Sequence, residues 1–261
     1  MICIRETQRR EEFVRDVLYS NFAKDIDNYT CVLLKPNIVS HEPYPTTTHP
    51  GVVRTCVEFF LEHKKQVIVA DGPAPDAGDT DIIISNHPIK TVCDELEVPL
   101  LNLLSYDSVK TLVYGVEVET VAVPFEYDLL ISLPVLKSHF VCKFTGALKN
   151  QLGFIAARDR MPMHFEKDIH RVIAATNMII RPDFYVMDAI DTLILSNEVR
   201  HGGKPGSLGF MLAGSDPVAL DMAGFELLKK IDPKLKGQNY ESIRYLKHAI
   251  DLGIGKPIEN S

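Results

Sequence analysis

Short apolar runs recur along the chain, each followed by residues with helical spacing. Cys31–Lys35, Gln66–Ala70, Pro99–Leu103, Tyr127–Leu133, Asp183–Met187 and Leu208–Ala213 read as strands. Their alternation with helical patterns predicts parallel strands joined by crossover helices. A helix is expected from His49-Pro50, with Val53, Cys56, Val57, Phe60 and Leu61 on one apolar stripe. A second opens at Ser215-Asp216-Pro217 and carries Ala219, Leu220, Ala223 and Leu227. An amphipathic start (Phe13, Val14, Val17, Leu18) precedes the first strand, and a final helix near Tyr240–Leu252 ends at Gly253. Val109–Val113 and Val116–Val123 flank Tyr114-Gly115 and alternate apolar with polar residues, the pattern of an antiparallel hairpin. The expected fold is α/β, a mainly parallel sheet with helices on both faces and an antiparallel hairpin at one edge. No repeat or long linker divides the chain, so residues 1–261 are expected to form a single domain, with two lobes left open.

Composition adds limits. The chain has 261 residues, 46% of them apolar and 24% charged, enough to bury a full core. Its 28 Lys and Arg against 35 Asp and Glu give a net charge of -7, which argues against nucleic acid or a polybasic membrane surface as partner. No apolar run approaches the roughly 18 residues of a membrane span, and the start lacks the order of a secretory signal, so the cytoplasm is the expected location. Five cysteines lie far apart without Cys-x-x-Cys. They read as free thiols, mostly buried, and form no ligand set for an iron–sulfur cluster.

In open parallel sheets ligands bind outside the carboxyl ends of the strands. Those ends carry Lys35-Pro36-Asn37, Thr46-Thr47-Thr48-His49, Asp71-Gly72-Pro73, Lys137-Ser138-His139, Asp188 and Ser215-Asp216. The stretch from Pro134 to Arg171 has net charge +4, leaving -11 elsewhere, and holds three of the nine histidines: His139, His164 and His170. A cationic, titratable stretch inside an acidic chain suits an anionic small molecule. Thr145–Gly153 reads as a small-residue turn entering a helix whose first N–H groups meet an anion, with Lys149 pointing at it. Gly-x4-Gly-Lys-Ser/Thr, Gly-x-Gly-x-x-Gly and Gly-x-Ser-x-Gly are all absent, so nucleotide and serine-hydrolase chemistry have no motif support.

On these residues the chain resembles the family called domain of unknown function 362. The resemblance runs from about Leu34 to Gly255 through Lys35-Pro36-Asn37, Thr47-Thr48-His49-Pro50, Asp71-Gly72, Leu133–His139, Thr145–Asn150, Asp188, Ser215–Ala219 with Asp221, and Gly253–Gly255. Some members of that family are described as iron–sulfur proteins, a role that does not carry over without a cysteine array. A more distant similarity is to nickel-pincer lactate racemases, through the spacing of His139, Lys149 and His164. That similarity implies His139 as the acid/base, Lys149 as the covalent anchor of a nickel-containing cofactor and His164 as a metal ligand. The turn differs from theirs, and their larger second domain has no counterpart.

Each residue also has a plainer reading. Lys35 and Asn37 either close a strand or face a ligand; Lys137 and His139 either sit in a solvated loop or bind; His164 and His170 either line an exposed helical face or ligate. His49 and Thr48 fit a helix cap, Asp71 and Asp188 loop caps or partners of a cation, and Asp216 and Asp221 a helix cap and an ion-pair partner. The functional expectation is an anion site at the carboxyl rim, catalytic through His139 and Lys149 and bound through Lys35, Asn37, Thr47, Thr48, Asp71, Lys137, Asn150, Asp188 and Ser215. Racemisation or isomerisation of a small carboxylic acid is the enzymatic form. The alternatives are a carrier of a metal or anionic cofactor serving a redox protein partner, and an interaction protein. A homo-oligomer and a divalent metal stay open.

Overall fold

The structure, a computed structural model, describes residues 2–122 and 127–258; Val123 of the expected hairpin lies outside them. In chain order the elements are β1 (Ile2–Glu6), α1 (Arg10–Phe22), β2 (Cys31–Pro36), α2 (Pro50–Glu62), β3 (Gln66–Asp71), α3 (Thr80–Asn86), α4 (Pro88–Glu95) and β4 (Leu100–Asn102). Then come β5 (Ser108–Val113), β6 (Val116–Val121), β7 (Leu129–Leu133), β8 (Lys137–His139), β9 (Lys143–Thr145), α5 (Ala147–Asn150), α6 (Ala157–Phe165) and α7 (Ile169–Ile179). β10 (Phe184–Ile194), β11 (Lys204–Gly214), α8 (Pro217–Leu228) and α9 (Arg244–Asp251) complete the chain.

The central sheet has the order β1-β11-β10-β7-β2-β3-β4 among the described residues. β10, β7, β2, β3 and β4 are parallel, as the pattern predicts. β11, expected in the same sense, runs antiparallel to β10, and β1, not anticipated, pairs antiparallel with β11. The reason is length: β10 extends to Ile194 and β11 begins at Lys204, leaving a link too short for the dozen or so residues of a crossover.

Period-two alternation divides the core. Val32, Leu34, Leu129 and Ile131 face α1 and α2, while Leu33 and Leu130 face the other side with Phe154 and Ile180. That second side continues with Tyr185 and Met187 under Val172, Leu220 and Tyr245 of α7, α8 and α9. The predicted helical stripes are core, except that Leu61 is exposed. Of the five free cysteines, Cys3 is exposed and the other four are buried.

Local signals explain the helix starts. His49 Nδ1 accepts the Gly51 N–H at 3.0 Å ahead of α2, and Asp216 accepts from Val218 and Ala219 at 2.9 and 3.0 Å ahead of α8. In the β5–β6 hairpin Tyr114 and Gly115 have φ of 52° and 69°, as a two-residue turn of the primed type requires. The hairpin is a ribbon separate from the central sheet, bridged to the chain ahead of α6 through Thr120 and Ile155, and its Val118 joins the core beside α7.

Candidate functional site

The carboxyl ends of β2 and β3 deliver Lys35 and Asp71 to one rim of the sheet, and β8, just beyond β7, adds Lys137 and His139. α5 contributes Lys149 and Asn150, and α6 contributes Arg160 and His164. Together with Asn37 and Asn197 these side chains line one cavity of about 90 Å³. That volume holds several waters or a few-atom molecule and lies well below the about 300 Å³ of a cofactor-sized pocket.

The cations around this cavity are held in different ways. Lys35 Nζ lies 2.5 Å from Asp71 Oδ1 and 3.0 Å from the Pro36 carbonyl oxygen, and burial lowers its pKa. Asp71 also accepts the backbone N–H groups of Ile38 and Gly72, at 2.5 and 2.8 Å. A Cβ at position 153 would collide with both Asp71 and Lys35, so Gly153 is the residue that lets α5 and the segment after it close over the pair. Lys137 Nζ donates to the Thr46 carbonyl, and burial pulls its pKa down to about 7. Arg160 spends its guanidinium on the carbonyls of Ile155, Gly72, Pro73 and Gly153, at 2.9, 3.0, 2.5 and 2.8 Å. No carboxylate pairs with it among the described residues, and burial lowers its pKa to about 10.

His139 has a fixed orientation. Its Nδ1 accepts the N–H groups of Val141 and Cys142 at 3.1 and 3.2 Å, and its ring stacks on Phe140. An Nδ1 that accepts twice carries no proton, so the neutral ring holds its proton on Nε2. Burial first, then the fields of Lys149 and Lys137, depress its pKa well below the usual imidazole value. His139 is thus built to donate from Nε2 rather than to take up a proton.

Lys149 differs from its neighbours. It is half-buried, its pKa is lowered by burial, and its Nζ has no hydrogen-bond or ion-pair partner among the described residues. Asn37 Oδ1 and Asn197 Oδ1 are buried without a donor on the same cavity, and unpaired buried acceptors invite an occupant with an O–H or N–H group.

Of the twelve residues singled out from sequence, Lys35, Asn37, Asp71, Lys137, His139, Lys149, Asn150 and His164 line this cavity; Thr47, Thr48, Asp188 and Ser215 do not. Thr47 donates to the Glu42 carbonyl, and Thr48 donates to the Leu133 carbonyl while accepting the Asn37 N–H at 2.7 Å, which positions Asn37. Asp188 is bound by Arg10 at 2.5 Å and Tyr44 at 2.9 Å, and Ser215 is exposed. Asn150 ties the rim together by donating to Ser132 Oγ at 2.9 Å. The anion expected at the start of α5 turns out to be the protein's own: Asp221 accepts the N–H groups of Ala147 and Leu148 at 2.6 and 3.3 Å. Asp221 is therefore a cap and not the ion-pair partner expected of it.

A family model, Domain of unknown function (DUF362), matches residues 32–226, well over half of the chain. The chain belongs to this family. Among curated proteins, this DUF362 chain is 28% identical over 226 residues to a thylakoid-associated protein of Synechocystis, covering 82% of itself and 66% of that relative. Among solved structures it superposes on the lactate racemase apoprotein of Thermoanaerobacterium thermosaccharolyticum with a TM-score of 0.56 at 16% identity, covering 87% of itself and 57% of the racemase. At that identity the likeness shows the fold, an α/β sheet of the racemase type. A protein from Thermotoga maritima follows at TM-score 0.46, 14% identity, and 75% and 53% coverage. The chain thus spans just under two thirds of its curated relative and rather more than half of the racemase.

The residues present do not fit a resident metal. No group of three or more His, Cys, Asp or Glu side chains that could hold one occurs among the described residues. His164 stands exposed at the mouth, and the protonated Nε2 of His139 has no lone pair to offer. The cavity is also too small for an organic cofactor. No helix among the described residues is long and apolar enough to cross a membrane.

Proposed function

We propose that this DUF362 chain binds a small carboxylate in the rim cavity and moves a proton at the carbon beside the carboxyl group, a racemase- or isomerase-like reaction in the cytoplasm. One observation carries this reading. Lys35, Lys137, Lys149 and Arg160 line a space in which Asp71 is the sole carboxylate among the described residues, and Lys35 already holds it. The surplus of positive charge is matched by an anion supplied from outside. Removing a proton next to a carboxylate builds further negative charge, which the Nε2–H of His139 and the ammonium of Lys149 are placed to stabilise. With His139 a fixed donor, the proton goes to the free-base form of Lys137, whose pKa of about 7 populates that form beside the anion-holding ammonium at neutral pH.

The same occupied Nδ1 of His139 favours a second reading, a non-catalytic carrier of an anionic molecule for a redox partner. Deuterium exchange separates the two. In D2O with lactate or malate, the catalytic reading predicts loss of the C2–H proton signal, abolished in Lys137→Met. Binding without exchange in the unmodified protein supports the carrier.

A further inference from the structure

We infer that Lys149 is a carbonyl-trapping amine, forming an imine with a small 2-oxo acid held in the rim cavity. The inference rests on the anion-binding reading above and names the class of occupant.

The geometry separates Lys149 from the other cations. Lys35 is tied to Asp71, Lys137 to the Thr46 carbonyl and Arg160 to four backbone carbonyls, whereas Lys149 Nζ has no such partner among the described residues and lines the cavity. A desolvated amine gives up its proton more readily than a solvated lysine, which frees the lone pair needed for attack on a carbonyl. Arg160 adds to this effect of burial, Cys142 and Glu198 oppose it, and Lys137, His139 and His164 face the same space.

The rest of the cavity supplies what the chemistry needs. The Nε2–H of His139 polarises the carbonyl oxygen, and the Lys137 ammonium receives the carboxylate. Attack by Nζ on the carbonyl carbon forms a C–N bond and a carbinolamine, whose hydroxyl finds acceptors in Asn37 Oδ1 and Asn197 Oδ1, both buried and unpaired. The former carbonyl oxygen then leaves as water. It carries the two protons that the amine loses, relayed through Lys137, and the C–O bond is replaced by C=N. The imine acidifies the C–H at C3, the carbon on the far side of the former carbonyl, a position separate from the C2–H of a 2-hydroxy acid.

The test uses the full chain with pyruvate, and separately glyoxylate, plus sodium cyanoborohydride near neutral pH, read by intact mass and peptide mapping. Lys149 is expected to take one reduced adduct per chain before any surface lysine is modified. Lys149→Arg should lose the adduct and Lys236→Arg should keep it. An adduct on Lys137 or spread over surface lysines, or none at all, overturns the inference. Calorimetry with pyruvate on the unmodified chain and on Lys149→Gln then separates the two failures. Binding without trapping refutes the imine and leaves the anion site standing, and absence of both removes the anion site as well.

Discussion

Lys35 and Asp71 end adjacent parallel strands and meet inside the protein, Nζ to Oδ1 at 2.5 Å, with 1% and 3% of their surfaces exposed. Buried pairs of this kind cost desolvation on both sides, and removing one partner strands the other charge. Asp71→Asn should therefore destabilise the chain by about 3–5 kcal/mol in urea unfolding. Lys35→Met with Asp71→Leu should recover most of that loss, because no lone charge is left behind. Equal losses in the single and double variants would show that the pair acts through packing alone.

Asp221 offers a pH signature. Burial raises its pKa from 3.8 to about 7, against the lowering effect of the Ala147 and Leu148 N–H groups. Between those values the folded chain binds more protons than the unfolded one, so stability falls as pH rises from about 4 to about 7 and is level above. At 1.36 kcal/mol per unit the span reaches at most about 4 kcal/mol. Thermal melts of Asp221→Asn across the same window should lack that slope.

Anion affinity should follow Lys137. Its ammonium is intact below about pH 7 and lost above, while Arg160 stays charged and His139 stays neutral. Glu198, Glu42 and Asp71 hold the ammonium and Lys149 opposes it. Losing one charge-assisted hydrogen bond is worth about 1.5–3 kcal/mol. Lactate should therefore bind about tenfold or more weakly at pH 8.5 than at about pH 6, and Lys137→Met should flatten this dependence.

His139 should report its own tautomer. In ¹⁵N NMR, Nδ1 is expected to keep the shift of an unprotonated nitrogen and Nε2 that of a protonated one from about pH 5 to about pH 8. A ring that titrates in this range would return His139 to the acid/base role.

Much of the site was legible because apolar strands ending in Lys35, Asp71 and, one turn later, Lys137 and His139 deliver charge to a common rim. What stayed hidden depends on partners distant in sequence. Asp188 looks like a rim residue until Arg10, 178 positions away, claims it. Thr47 and Thr48 look like ligands until their hydroxyls meet backbone carbonyls. Arg160, on the proline-containing α6, and Asn197, in the irregular link before β11, carry no local signal for a cavity. In the fold, β8 and β9 escaped because three-residue strands holding Lys137, His139 and Lys143 lack an apolar run. β11 looked parallel because the continuation of β10 to Ile194, with acidic residues at 188 and 191, hid the shortness of the connection.

The central claim is that the rim cavity is an anion site, and isothermal titration of lactate or pyruvate into the full chain tests it most directly. The account predicts one anion per chain, with affinity about tenfold or more weaker in both Lys137→Gln and Lys149→Gln. Binding that both variants leave unchanged, in proteins whose melts match the unmodified chain, would contradict it.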